Sequence, residues 1–321
     1  MLPAAAFVGL DATPHEAMAC LPQGLTSAKK CGECHKAIYK EWQLSAHSSA
    51  WTNEVYQKKL KEKKEASKTK AEPKVCYNCH VPQSVLARLG KKPRRRKDTK
   101  NFHEGITCVS CHEKGGNIHG PYGSKTDAHP VEKDPVFTSR NVVTLCQSCH
   151  NTTIGPVLKV AKDFIESGLA AKGKSCISCH MREVERHIAV NALGNPVGNK
   201  RKGRQHDILG PRDAKFLASA FELGSKRNGK DIEVIVANEA GHKVPALTLR
   251  RFVFHVRQLN ASGEELAHDK FELHHENLLL VNEKRHFPFP FKAGARKIEV
   301  RGEHLFEGVV VAEFLKTSLD I

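Results

Sequence analysis

One short pattern, Cys-x-x-Cys-His, constrains this chain more than any other feature, because it occurs five times. The copies are Cys31/Cys34/His35, Cys76/Cys79/His80, Cys108/Cys111/His112, Cys146/Cys149/His150 and Cys176/Cys179/His180. At this composition about 0.02 copies are expected by chance. The pattern is that of covalent haem attachment: two thiols add to the haem vinyl groups, and the adjacent histidine becomes the proximal iron ligand. The sequence therefore predicts five haem c groups.

Zinc and disulfides are the other common uses of paired cysteines. A zinc ribbon needs two Cys-x-x-Cys pairs for each metal and no fixed histidine after them, whereas this chain has an odd number of pairs, all followed by histidine. A thioredoxin-like or disulfide framework meets the same difficulty. Cys20 is the single cysteine outside the pattern. A buried free thiol is favoured there, and an intermolecular bridge or a lipidation signal stays open.

The composition agrees with an interior filled by haem. The chain has 321 residues but only 6% aromatic residues, which is thin for a core of this size, and a porphyrin is a large apolar disc that replaces side chains. The longest apolar run, residues 2–10, is far below the roughly 18 residues that span a bilayer, so no transmembrane segment is expected. Because haem c is attached outside the cytoplasmic membrane, we expect an exported protein, either periplasmic or extracellular.

The second axial ligand of each iron must come mainly from the histidines. The chain has only three methionines, and Met181 directly follows a proximal histidine. Of the 19 histidines, 14 remain after the five proximal ones are subtracted. Bis-histidine ligation and low reduction potentials are expected, because methionine is the ligand that raises the potential. The predicted distal ligands are His47, His119, His129, His206 and His242, with His15, His103 and His187 in reserve.

The chain divides into two parts of different character. Residues 1–225 contain all five motifs and predict a mainly helical and irregular pentahaem domain, organised by the haems themselves. Helices are predicted within residues 36–64, 155–170 and 213–223. Residues 226–321 carry apolar and β-branched segments at roughly 8–15-residue spacing, with predicted strands at 231–238, 251–259, 265–274, 278–281, 296–301 and 308–314. They predict a C-terminal antiparallel β-sandwich domain that has no haem motif.

The charge points to protein partners. The formal net charge is +16, and runs of lysine and arginine occupy residues 58–64 and 91–97. Such runs usually form solvated surface, and they also suit docking of acidic redox partners. No aromatic residue interrupts them and no nucleic-acid fold motif is present, so sequence-specific nucleic-acid binding is not expected.

Several short motifs resemble those of multihaem cytochromes of the hydroxylamine-oxidoreductase and octahaem tetrathionate-reductase superfamily. Residues 31–47, with Glu41-Trp42 and Ser45-Ala46-His47, resemble the opening of these proteins, and residues 105–112 resemble their middle motif. Residues 176–181, His206 and residues 238–245 resemble the tail of relatives that end in a β-domain. The resemblance implies that His47, His206 and His242 are distal ligands.

Three functional hypotheses follow. The enzymes of that superfamily use a haem with an open position or a lysine as proximal ligand, and no Cys-x-x-Cys-Lys occurs in this chain; electron transport without enzymatic activity is therefore the first hypothesis. A reductase of a small nitrogen or sulfur oxyanion is the alternative, and it needs one haem without a distal histidine in a cationic pocket. Some extracellular cytochromes of comparable design polymerise into conducting filaments, and His15 could cap a haem of the next subunit in that way.

Overall fold

The structure is a computed structural model that describes residues 27–67, 74–138, 141–153 and 158–321. His15 and Cys20 lie outside the described residues. Up to position 218 the described chain consists of short helices, short strands and loops, and from position 221 it consists mainly of long strands. No helix within the described ranges has the length and apolar character needed to cross a bilayer.

The helices are short, and four of them end at a motif histidine. Their bounds are α1 Ala28–Gly32, α2 Lys36–Leu44, α3 Glu54–Glu65, α4 Lys74–His80, α5 Cys108–His112, α6 Val143–His150, α7 Val160–Glu166, α8 Cys176–His180 and α9 Ala214–Ala218. Since residues three apart lie on one side of a helix, a Cys-x-x-Cys-His sequence within a helical turn presents both thiols in the same direction. The helix length is thus set by the attachment chemistry.

The helix predicted at residues 36–64 is two helices. Helix α2 ends at Leu44, because Ser45 is extended and its hydroxyl donates to the Trp42 carbonyl (2.6 Å). Helix α3 starts only at Glu54, where the Asn53 side chain accepts the Tyr56 N–H (3.0 Å). Serine and asparagine side chains compete with helical hydrogen bonds in this way. The turn between the two helices carries His47. Of the helix predicted at 155–170, residues 155–157 lie outside the described residues and the described part contains α7; the helix predicted at 213–223 is reduced to α9.

Three small sheets follow the third and fifth motifs. Strands β1 Glu113–Lys114, β2 Asn117–Gly120 and β3 Val131–Lys133 form one sheet, in which β2 and β3 are parallel. Strands β4 Glu183–Arg186 and β7 Arg201–Arg204 pair antiparallel, as do β5 Ala189–Val190 and β6 Pro196–Val197. These sheets hold the loops from which several histidines project.

The C-terminal region contains two antiparallel sheets, as the sequence predicts for a β region. Its strands are β8 Phe221–Asn228, β9 Asp231–Asn238, β10 Arg250–Leu259, β11 Glu265–Leu273, β12 Lys284–Pro290, β13 Lys297–Phe306 and β14 Val309–Asp320. The strand orders are β11-β10-β13-β14 and β12-β9-β8. Val234 of one sheet and Phe254 and Val300 of the other are fully buried in one shared hydrophobic core.

Two of these strands differ from the sequence-based assignment. Strand β8 takes the place of the end of the predicted helix at 213–223, since Phe221 pairs with Asn238 and packs in the core. Strand β12, at Lys284–Pro290, is not among the predicted strands and contains Pro288 and Pro290. It pairs only with β9, and an edge strand tolerates proline because its outer side needs no N–H donor. Residues 278–281 form only a single bridge, between Leu279 and Val244.

Candidate functional site

The motif histidines are oriented by backbone carbonyls. In four of the five motifs the Nδ1 atom lies at hydrogen-bonding distance from a carbonyl oxygen: His35 to Ile188 (2.7 Å), His80 to Ala50 (2.5 Å), His112 to His119 (2.7 Å) and His180 to Leu209 (2.6 Å). A donating Nδ1–H fixes the tautomer and leaves the Nε2 lone pair free for a metal. These contacts prepare each ring to bind iron through Nε2.

Four of the five motif histidines face a second histidine at nearly the same distance. The ring centroids are 6.2 Å apart for His35–His129, and 6.3 Å apart for His47–His150, His112–His206 and His180–His242. Metal–imidazole bonds of about 2 Å place two rings on one ion with their centroids about 6.3 Å apart. The residues present therefore fit an iron between the rings of each pair.

The pairing does not follow the order of the chain. His47 follows the first motif but lies opposite His150 of the fourth, whereas His129, which follows the third motif, lies opposite His35 of the first. Four of the five predicted distal histidines are thus brought opposite a motif histidine. Each pair joins distant segments of the sequence.

The histidine of the second motif has a different neighbour. No described histidine ring lies opposite His80; instead the Tyr56 ring stacks on it, with centroids 3.6 Å apart and an interplanar angle of 10°. The Tyr56 hydroxyl is buried without a hydrogen-bond partner among the described residues. Burial raises the pKa of this phenol, so it stays protonated. A haem attached at Cys76 and Cys79 would have one axial side without a histidine from the described chain.

The predicted ligand His119 has other contacts in the structure. Its ring is buried, with Nδ1 3.4 Å from the Asp134 carboxylate and Nε2 3.2 Å from the Lys114 carbonyl. Its own carbonyl oxygen accepts the hydrogen bond from His112. The ring is not brought opposite any motif histidine in the described chain. The backbone of His119 instead orients a proximal ring.

Neither described reserve histidine is brought opposite a motif histidine. His103 is exposed and His187 is half-buried, and their Nδ1 atoms contact the carbonyls of Lys100 (3.1 Å) and Gly198 (2.8 Å). His15 is outside the described residues.

An ion pair holds the loop that carries His206. The Arg186 guanidinium donates to both oxygens of Glu41, with Nη2 2.8 Å from Oε2. The same Oε2 accepts the backbone N–H of His206 (2.9 Å). Although burial opposes it, these hydrogen bonds hold the pKa of Glu41 below its ordinary value. Glu41 therefore remains ionised and fixes the backbone of a histidine that faces His112.

Two glycines permit the close approaches that position His47 and His242. Gly105 has φ +59°, and a Cβ there would collide with the His47 carbonyl, which accepts the Ile106 N–H (2.9 Å). At Gly241 a Cβ would lie 2.8 Å from a ring carbon of Phe164 on α7. The adjacent Lys243 places its N–H 3.2 Å from the Asp163 carboxylate. The loop bearing His242 is therefore docked on α7.

Burial keeps the paired imidazoles neutral. Desolvation is the main cause that lowers the pKa of His47, His150 and His206 to about 4, and the facing ring of each pair contributes for His47 and His206. Neutral imidazole is the form that binds a metal. At neutral pH these rings are ready to act as ligands without losing a proton.

Cysteines of different motifs contact one another. The thiols of Cys31 and Cys108 lie close enough to act on each other's pKa, as do those of Cys79 and Cys149 and those of Cys146 and Cys176. None of the ten described cysteines is in a disulfide. The first motif therefore neighbours the third, and the fourth neighbours both the second and the fifth. Cys111 of the third motif also lies close enough to act electrostatically on Cys146 and Cys149 of the fourth.

Cys34, the second predicted attachment cysteine of the first motif, differs in its setting from the second cysteines of the other four. Those four lie inside α4, α5, α6 and α8, whereas Cys34 lies in the turn after α1, which ends at Gly32. The helix ends there because the chain turns back on itself: the Tyr39 ring of α2 packs where a Cβ of Gly32 would be, 2.5 Å away. The Cys34 thiol is half-buried, and the Cys34 carbonyl accepts the N–H of Val190 on β5 (2.9 Å).

Although Cys34 lies outside a helix, the turn after α1 keeps the two thiols of the first motif at helical spacing. The backbone N–H groups of Cys34 and His35 both approach the Cys31 carbonyl, at 3.3 and 2.9 Å. The second of these is a helical hydrogen bond from residue i to residue i−4. A continuous helix is therefore not what holds Cys34, and its bond to β5 fixes the motif instead. Its attachment to haem stays a prediction from the motif.

Both basic runs lie beside the second motif. The Arg96 N–H donates to the Val81 carbonyl (2.8 Å) and the Gln83 N–H donates to Arg94 (2.6 Å), so residues 91–97 run alongside the chain that leaves His80. Helix α3, which carries Tyr56, also carries the exposed Lys63, whose charge acts on the Cys76 thiol. The second motif is thus set in a cationic surface.

Parts of this chain match known proteins in sequence or in fold. Residues 30–113, which contain the first three motifs, match the family model described as cytochrome c554 and c-prime. Cytochrome c-554 of Nitrosomonas europaea is 30% identical over 152 residues, a match that covers 42% of this chain and 60% of that protein. The crystal structure of a penta-haem cytochrome c552 from Thermochromatium tepidum superposes with a TM-score of 0.63 at 16% identity, covering 92% of this chain and 98% of that one.

The chain is a multihaem c-type cytochrome. Its cofactor is haem c, for which the sequence supplies five attachment motifs. The cytochrome shares its fold with the penta-haem protein over most of its length. The match to cytochrome c-554 spans about three fifths of that relative.

Sequence reasoning missed the residues that position the ligands of this cytochrome. Glu41 appears in the sequence motif, but its contact with Arg186 and His206 depends on strands that the sequence did not predict. The sequence does not predict a role for Tyr56 at a haem site, because nothing in residues 54–65 distinguishes it from a packing residue. Its position on α3, directly before the lysine run, is the only signal available in the sequence.

Proposed function

We propose that this cytochrome carries electrons by means of five covalently bound haems, four of them with two histidine ligands. The observation that carries the proposal is the separation of 6.2–6.3 Å between histidine rings in four motifs. Haem c supplies a one-electron Fe(III)/Fe(II) couple. Two histidines on one iron fill both axial positions, which favours electron transfer over ligand chemistry and keeps the potential low.

The contacts between motifs support a branched array of haem sites. The thiol contacts connect motif one to motif three and motif four to motifs two and five. Cys111 lies near the thiols of motif four and so connects motif three to it. The fourth motif is the branch point of this arrangement. One branch runs through the third motif to the first, the second ends at the cationic second motif, and the third ends at the fifth motif, beside the C-terminal sheets.

The partners we propose are acidic redox proteins that dock on the basic surface around the second motif. Residues 91–97 and α3 provide exposed positive charge there, and such charge speeds association with an acidic surface. We further propose that the cytochrome is exported, since haem c is attached outside the cytoplasmic membrane. Assembly into a filament stays a hypothesis, which electron microscopy of the native protein would test.

Electron paramagnetic resonance of the oxidised holoprotein tests the electron-transfer proposal, together with a potentiometric titration followed by absorbance. We expect four low-spin haems at low potential and one high-spin haem. Predominantly high-spin haems that bind carbon monoxide in the ferrous state would contradict bis-histidine ligation. His206→Ala serves as an internal standard, because it should convert one low-spin signal to high spin.

A reductase acting on a small nitrogen or sulfur oxyanion is the second candidate, and one observation favours it. Among the described residues no histidine faces His80, and the second motif is set in cationic surface. This is the arrangement that an anionic substrate needs. Turnover of nitrite, hydroxylamine and tetrathionate with reduced viologen tests it, and no turnover on any of the three retires it.

A variant with fewer surface charges tests whether this surface recognises the charge of the substrate. Neutralising Lys91 and Lys92 should raise KM for the anion nitrite and leave KM for uncharged hydroxylamine unchanged. Lys215→Gln, in α9 and equally exposed, is the matched control. An equal change in both KM values would argue against electrostatic recognition at this surface.

A further inference from the structure

Arg250, the first residue of β10, is a half-buried cation, and no described carboxylate pairs with it. Its Nε atom is shielded from solvent and has no hydrogen-bond partner within the described chain. Burial lowers the pKa of its guanidinium to about 10, and the nearby charge of Arg212 contributes. Arginine remains protonated even so. Two arginines thus lie close together without a carboxylate between them, which is unfavourable unless an anion is bound.

His304 on β13 completes this cluster. It is 2% exposed, and its Nδ1 is 3.0 Å from the carbonyl of Pro211, the residue before Arg212. Its Nε2 is another buried nitrogen without a partner in the described residues. His304 therefore ties the segment bearing Arg212 to the sheet that bears Arg250. Arg212, Arg250 and His304 thus lie close enough for their charges to act on one another, and no described carboxylate pairs with either arginine.

Three acidic side chains of the adjoining segments bind groups other than these two arginines. Asp163 pairs with Lys243 (3.2 Å), and Asp207 pairs with Arg182 (2.5 Å). Asp213, next to Arg212 in the chain, accepts the N–H of Phe216 (2.8 Å) at the start of α9. The anion that the two arginines need must therefore come from elsewhere.

Arg212 and Arg250 are each linked to one histidine of the fifth haem site. Arg212 follows Leu209 by three residues, and the Leu209 carbonyl holds the His180 ring. Arg250 lies close enough to His242 for its charge to act on that ring. Haem c attached at Cys176 and Cys179 carries two propionate carboxylates. Arginine binds carboxylate groups in two-point geometry and is the preferred partner for them in buried sites.

We propose that Arg212 and Arg250 bind a propionate carboxylate of the haem attached at the fifth motif, with His304 acting as a positioning residue for Arg212. This assignment rests on the proposed ligand pair His180–His242. The C-terminal sheets then supply both a ligand and a charge partner to this haem. Positive charge beside a haem favours the reduced iron, so Arg250 raises the reduction potential of the fifth haem above the value that it would otherwise have.

Potentiometric titration of the holoprotein carrying Arg250→Gln tests the proposal. We expect one of the five one-electron components to move to lower potential by about a tenfold change in its equilibrium constant, which is 59 mV for one electron. Arg250→Lys should restore part of the shift, because it keeps the charge but not the two-point contact. Arg212→Gln, an exposed position that should not affect folding, should shift the same component in the same direction.

Arg251→Gln is the matched control. Arg251 is the next residue of β10, is exposed, and pairs with Glu272 at the surface (3.4 Å). An equal shift in this variant, or no shift in Arg250→Gln and Arg212→Gln, overturns the assignment. A wild-type potential that depends on phosphate concentration, with the dependence lost in Arg250→Gln, also overturns it in favour of a free anion.

The spin state separates this proposal from the ligand assignment. If the fifth haem stays low-spin in Arg250→Gln while its potential falls, the arginine acts on a haem whose ligands are intact, and the proposal is supported. If His242→Ala leaves the number of low-spin haems the same as in the wild type, the ligand pair is wrong. A potential shift in Arg250→Gln would still be measurable in that case.

Discussion

The carboxylate of Glu41 on α2 binds the guanidinium of Arg186 on β4 at two points, 145 residues further along the chain, and accepts the backbone N–H of His206 as well. One acidic side chain therefore connects the first motif's helix, the strand after the fifth motif and a proposed ligand of the third. The contact therefore joins segments that adjoin three of the five motifs.

We expect Glu41→Gln to lower the free energy of unfolding by about 2 kcal/mol, since a charge-assisted hydrogen bond is worth roughly 1.5–3 kcal/mol. The folded-state pKa of Glu41 is depressed, so the stabilisation is present above the unfolded pKa and is lost as pH falls through the folded pKa. The difference between wild type and variant should shrink in acid. Denaturant titrations of the holoprotein at several pH values measure it.

The control for this variant is Glu33→Gln, which removes a surface pair with Lys30. Its effect should be below about 1 kcal/mol. Equal destabilisation by the two variants would mean that the Glu41 contact is not special.

His206→Ala should convert one low-spin haem into a high-spin haem and leave the other low-spin haems unchanged. The reason is that His206 is the ring opposite His112 in the described chain. Electron paramagnetic resonance of the oxidised protein counts both spin states. His187→Ala, at a half-buried histidine whose Nδ1 contacts the Gly198 carbonyl, should change nothing; a spin change there would assign that histidine to an iron.

Tyr56 allows the stack on His80 to be separated from its hydroxyl group. Tyr56→Phe keeps the ring that stacks on His80 and removes a buried hydroxyl without a partner in the described chain, so we expect stability to be unchanged or slightly higher. Tyr56→Leu removes the stack and should lower the free energy of unfolding by about 2 kcal/mol or more. It should also alter the high-spin signal, because the His80 ring is then free to rotate. An unaltered signal would show that the stack does not orient the ring.

Gly241→Ala should displace the loop that carries His242. Its Cβ would meet Phe164 at 2.8 Å, and overpacking of this kind costs about 1–3 kcal/mol. We expect lower thermal stability and partial loss of one low-spin signal. Gly210→Ala is the control, since a Cβ at Gly210 meets nothing within 4 Å. If both variants lose the signal equally, the close approach to α7 is not what holds His242.

The sequence predicts local motifs and strands, but it does not predict which distant residues contact one another. The five motifs are local because haem attachment needs its groups within five consecutive residues, and the strand at 231–238 has the predicted bounds because one face of it is buried. The pairing of His47 with His150 depends on how the chain returns on itself, which no local spacing encodes. A histidine in a Gly/Pro-rich loop could equally act through its ring or through its backbone, and His119 contributes its carbonyl to His112.

The crossed pairing of histidines has a consequence for how the chain acquires its structure. An iron held by His47 and His150 closes a loop of about 100 residues, and a cross-link over such a length removes enough entropy from the unfolded chain to stabilise the fold by about 4–5 kcal/mol. On the proposed ligand assignment, the haem of the first motif would also wait for His129, which lies far beyond it in the chain. Maturation would thus begin with incompletely ligated iron and finish only when later segments arrive, so that completing the metal coordination and completing the fold are one event.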